Sequence, residues 1–117
     1  MSFEQGLLED SIKRFKYYKE LGDKTFAQLD ETDFFYTPST ESNSIAVIVQ
    51  HMHGNMLSRW TNFLTEDGEK EWRKRDAEFE EMKSTKESII SLWNEGWNCM
   101  LNTLEDLTPE DLNKIVT

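Results

Sequence analysis

The chain has too little cysteine and too little positive charge for several classes of protein. Cys99 is the only cysteine, so no intramolecular disulfide is possible and a reducing, cytoplasmic setting is the expectation. Thirteen Lys and Arg face 23 Asp and Glu, for a net charge of -10. A chain this acidic repels phosphate backbones, which speaks against nucleic acid as a partner. The negative charge is spread over helix faces and favours solubility. The start, Met-Ser-Phe-Glu-Gln, lacks the basic and apolar regions of a signal peptide. No run of about 20 apolar residues is present, so no membrane span is expected. Only two histidines occur, His51 and His53, and there is no Gly-rich phosphate loop, Gly-x-Ser-x-Gly or Cys-x-x-Cys.

What is present is aromatic and helical. Four Trp, seven Phe and three Tyr in 117 residues are expected to dominate the core of a single domain, 1–117. Leu8, Ile12, Phe15, Tyr18 and Leu21 recur at spacings of three and four, the stripe of an amphipathic helix. Phe26 and Leu29 extend it to about Asp30. Pro38 then lies among Thr, Ser and Glu in a loop, and Phe34, Phe35 and Tyr36 form an aromatic knot expected to pack over a bundle end. Ser42 or Asn43 is placed to cap a second helix running to Leu64. Glu66-Asp67-Gly68 is a turn signal, and Glu69 to Met82 reads as a long charged connection with one or two helical turns. Ser84-Thr85-Lys86-Glu87 resembles a capping box. It opens a third helix with Ile89, Ile90, Trp93, Trp97, Met100, Leu101, Leu104 and Leu107 on its apolar stripe. Thr108-Pro109-Glu110-Asp111 is a further start signal, and Ile115-Val116-Thr117 reads as a strand or docked segment. The expectation is all-α: three long antiparallel helices near 3–30, 43–64 and 85–107, an incomplete four-helix bundle.

Chemistry concentrates on the second helix. Ile45, Val49, Met52, Met56 and Phe63 define its core face. His51, Asn55, Ser58 and Asn62 follow one edge of that face, with Arg59 beside them, and either line a cleft or form a solvated flank. His51 and His53 sit about 200° apart on a helix, so their rings point to different sides. Zn or Ni requires three or four N, O or S donors, and one imidazole is not a site. Arg59 either contacts a substrate or pairs with a carboxylate of the connection, such as Asp76 or Glu78. Trp60, Trp72, Trp93 and Trp97 read as core, and Cys99 lies off the main stripe of its helix with no histidine close in sequence.

Asn43-Ser44-Ile45-Ala46, His51, Gly54-Asn55-Met56-Leu57-Ser58-Arg59-Trp60, Asp67-Gly68-Glu69-Lys70, Trp72-Arg73, Arg75-Asp76 and Glu78-Phe79 together resemble the DinB-like superfamily. More narrowly, the string is similar to a small uncharacterised bacterial subfamily of it, over about Leu8 to Thr117. The resemblance implies an up-down-down-up four-helix bundle with a long crossover between its second and third helices. It also implies a divalent metal held by three histidines, one at the position of His51 and two on the last helix. For some relatives it implies thiol transfer with bacillithiol, mycothiol or glutathione. No histidine follows His53, so the last helix and its pair are missing from this pattern. The chain is therefore expected to be truncated and inactive as given, binding divalent metal weakly or not at all. Three helices shaped around a fourth leave a groove open, and a homodimer with the His51 helix at or near the contact is the expected response. The other class of reading is a non-catalytic helical interaction module.

Overall fold

A computed structural model describes residues 2–39, 42–74 and 85–113. Helix α1 spans Phe3–Ala27, α2 Glu31–Phe35, α3 Ile45–Trp60 and α4 Lys86–Asp106, followed by a 3₁₀ turn at Pro109–Asn113. No strand occurs among the described residues. The fold is a helical bundle, and no helix among those residues is long and apolar enough to cross a membrane.

The helix ends follow the capping chemistry, with local shifts from the sequence reading. Ser2 caps α1 by accepting a hydrogen bond from Gln5 N–H. The α1 stripe stops at Ala27, and Asp30 caps the separate short helix α2 through a reciprocal box with Asp33. The Thr32 hydroxyl and the Asp33 N–H hold the Asp30 carboxyl below its ordinary range. Ser44, not Ser42 or Asn43, caps α3. Three adjacent cap-forming residues made that choice ambiguous from sequence. At the other end, Thr61 turns to extended backbone and Asn62 to φ 50°, so α3 stops at Trp60 and not at Leu64. The box that opens α4 is Thr85 with Ser88, one residue later than Ser84 with Glu87. Removing this hydroxyl in Thr85→Ala is expected to cost about 1 kcal/mol in urea unfolding. No measurable change would mean that the box contributes nothing.

The central element is α4. Both α1 and α3 pack on it, and they scarcely touch each other. Its stripe of Ile89, Trp93, Trp97, Met100, Leu101 and Leu104 is buried, as read from the sequence. The contacts also give directions. His53 meets Glu95, Met56 meets Cys99 and Trp60 meets Thr103, so positions advance together and α3 and α4 run parallel. Asp23 meets Trp93 and Lys16 meets Glu105, so α1 runs antiparallel to α4. The expectation of three mutually antiparallel helices fails for the α3–α4 pair, because the long connection carries the chain back to the starting end. Gly96 permits the close approach of this pair: a Cβ there would lie 3.0 Å from Met56 Sδ and 3.4 Å from His53 Cα.

Of the aromatic knot, Phe34 is fully buried, Phe35 packs against the core and Tyr36 is exposed. Phe34 meets Phe26 with ring centroids 5.3 Å apart. The Lys86 ammonium lies 5.8 Å over the Phe34 ring and donates to the Leu29 carbonyl. The start of α4 thereby clamps the end of α1 and α2 together. Trp72 is exposed, contrary to the core role read for it. Phe63, read as part of the α3 face, lies beyond the helix and stacks on Trp60. Pro109 opens the 3₁₀ turn where its start signal stands. Asp76, Glu78, Met82, Ser84 and the Ile115–Thr117 segment lie outside the described residues.

Candidate functional site

Helix α3 carries the candidate residues, and its surroundings separate them. Val49 and Met56 face the core, and His51 lies about 140–200° round the helix from them. It is one turn after Val47 and two turns before Ser58, on the side where the chain after α3 folds back. His51 is partly buried and is not a free imidazole. His53 takes the opposite side, toward α4, with its Nε2 2.9 Å from Glu95 Oε1. The divergence of the two rings expected from their spacing is present.

The polar stripe of His51, Asn55, Ser58 and Asn62 does not persist as one surface. Asn55 is exposed, while Ser58 is fully buried. The Ser58 hydroxyl donates to the Gly68 carbonyl at 2.5 Å and accepts the Lys70 N–H at 3.2 Å. Asn62 lies beyond the helix, and its side-chain amide donates to Glu66 at 2.8 Å. Arg59 is about half exposed and lies over Gly68, with its guanidinium 4.0 Å from Glu69. A carboxylate of the connection was the right kind of partner for Arg59. Glu69, close after the turn, is the partner among the described residues, and Asp76 and Glu78 lie outside them. Cys99 is partly buried, 3.6 Å from the Thr61 hydroxyl.

Lys70 is the residue that sequence reasoning missed. It is 9% exposed, rare for a lysine. Its ammonium donates to the Ser58 carbonyl at 2.8 Å and to the Asp67 carbonyl. The last four carbonyls of a helix lack partners within it. In α3 the Leu57 carbonyl accepts the Thr61 N–H, Ser58 accepts Lys70 and Trp60 accepts the Thr103 hydroxyl. Loop, lysine and neighbouring helix thus close the end of α3 together. The available signal was a lysine just after a Gly turn that follows a helix end, where a cation suits the carbonyls.

The described donors do not by themselves make a metal site. Among the described residues, no group of three or more His, Cys, Asp or Glu is placed to hold an ion. His53 is oriented toward Glu95, so among the described residues His51 stands as one donor where three or four are needed. What the arrangement does offer, among the described residues, is two exposed helix faces. On α1, Phe3, Leu7, Tyr18 and Leu21 are exposed, about a quarter turn from the Leu8–Phe26 stripe that faces α4. On α3, Ile48, Asn55 and Arg59 are exposed, also about a quarter turn from Val49 and Met56.

A family model described as a protein of unknown function, DUF1572, matches residues 2–117. No curated protein and no solved structure matches the chain.

Proposed function

The chain belongs to the DUF1572 family, a DinB-like family, and on that premise we propose that it works as an assembled helical module and not as a self-contained enzyme. In this reading the faces of α1 and α3 that turn away from α4 are covered by a second copy of the chain, giving a homodimer. The bundle in this reading is of the up-down-down-up DinB type, consistent with the parallel run of α3 and α4. The observation that supports this most is that α1 and α3 pack on α4 without packing on each other, while each keeps an exposed apolar side chain beside its core stripe. Charge supports it too. Helix α1 carries five cationic and five acidic side chains, and α3 carries Arg59 and no acid. The negative charge therefore lies elsewhere, and like-charge repulsion does not oppose pairing of these faces. Light scattering at micromolar concentration is expected to give a dimer mass, and Leu21→Glu with Ile48→Glu a monomer. A monomer mass for the unaltered chain across that range would end this reading.

The activity implied by the DinB resemblance, divalent-metal-dependent thiol transfer, would need donors besides His51. The protein prepared without a histidine tag is expected to retain no Zn or Ni through dialysis. One tightly held ion per chain, lost in His51→Ala, would overturn the non-enzymatic reading and restore the metal-dependent one. Because ligation needs neutral imidazole, such binding would weaken as the pH falls.

A further inference from the structure

A cavity of about 300 Å³ lies where the first turns of α1, the end of α3, the end of α4 and the 3₁₀ turn converge. We propose that it binds a small uncharged molecule, mostly hydrocarbon and about two rings in size, with one hydroxyl. The proposal uses neither His51 nor a second copy of the chain.

Four observations support it. The walls are apolar: Leu7, Phe15, Trp60, Phe63, Leu104 and Leu107. The space opens to solvent, and water against an apolar lining is poorly held and readily displaced by an apolar group. Among the described residues the polar lining is Ser11 and Asp111, and the Asp111 carboxylate accepts the Thr108 N–H at 2.9 Å. The size sets the ligand, since an apolar cavity of about 150 Å³ stays dry and takes benzene, and one about twice as large accommodates two fused rings. The charges set its class. Among the described residues no Lys, Arg or His lines the space, so none of them would offset a carboxylate or phosphate entering beside Asp111.

The fourth observation is the turn after α3. Asn62 is the one described non-glycine residue with positive φ, at 50°. Asparagine adopts this left-handed conformation more readily than most side chains. Here it reverses the chain after Thr61, so that Phe63 stacks on Trp60, centroids 4.8 Å apart and planes 23° apart. That pair is the aromatic wall of the cavity. At the mouth, Leu112 remains 36% exposed, apolar surface that a hydrocarbon ligand would cover.

The test uses 2-naphthol as probe, with leucine methyl NMR as readout. Saturable shifts are expected for Leu7, Leu104, Leu107 and Leu112. Ser11→Leu fills the space and is expected to abolish them while leaving the melting temperature equal or higher. Should Ser11→Leu fail to fold, Leu112→Glu, a substitution at the exposed mouth, is expected to abolish them as well. Naphthalene-2-sulfonate, with the same rings and an anionic end, is expected to bind at least about tenfold more weakly. Silent leucine methyls, non-saturating shifts, or affinity unchanged by both substitutions would overturn the site. Equal affinity for the sulfonate would overturn the ligand class.

Discussion

Replacing Trp93 by alanine is expected to cost about 3–5 kcal/mol, the range for loss of a large core aromatic. The indole is 8% exposed and meets Phe26 edge-on at 4.9 Å and Trp97 at 5.4 Å. Its Nε1–H donates to Asp23 at 2.8 Å, which fixes the ring against α1. The ring edge lies over Gly22, where an added Cβ would come 2.3 Å from Trp93 Cζ2. Gly22→Ala alone should therefore destabilise by about 1–3 kcal/mol through overpacking, partly offset by about 1 kcal/mol of helix propensity. In the Trp93→Ala background the clash is gone, and Gly22→Ala should become stabilising. Urea denaturation of the four proteins closes the double-mutant cycle. Additive effects would mean that the indole does not rest on Gly22.

Lys70→Met is expected to be the next most damaging, at about 2–3 kcal/mol. The loss is not of an ion pair. It leaves the buried Ser58 carbonyl without its ammonium partner and detaches the Asp67 turn from the end of α3. Arginine should not restore it, because a planar fork does not reproduce a compact ammonium between two carbonyls. Lys16 is the control. It pairs with Glu105 at 2.8 Å, but both side chains are about half exposed, so Lys16→Met should change stability by no more than about 1 kcal/mol. Chemical denaturation of the two variants gives the comparison. Equal losses would show that the carbonyl clamp adds no stability.

The parts legible in the sequence were those that repeat. The α4 stripe from Ile89 to Leu104 and the α1 stripe from Leu8 through Phe26 announce helices because burial on one face forces apolar residues to the helical period. The end of α3 was misread for the same reason, since Phe63 and Leu64 keep the apolar character after the helix has stopped. Phe63 is apolar because it stacks on Trp60. The burial of Lys70 and the exposure of Trp72 depend on how one loop folds back, which no period encodes. The divergence of His51 and His53 was legible because 100° per residue is geometry alone. What each ring meets, Glu95 in the case of His53, depends on the neighbouring helix.

The parallel run of α3 and α4 also bears on how the chain finds its fold. His53 and Glu95 are 42 residues apart, Trp60 and Thr103 are 43 apart, and Asp23 and Trp93 are 70 apart. Among the described residues no two long helices form a tight hairpin, so pairing of α1, α3 and α4 cannot spread outward from a short turn. Each pairing must close a long loop, although lengthening the loop from about 40 to 70 residues adds only about 0.5 kcal/mol. Neither closure is much favoured over the other on entropy alone. Order of assembly then rests with the hydrophobic content of α4, the one helix that both partners must meet, and this bundle should fold more slowly than a helical hairpin array of equal size.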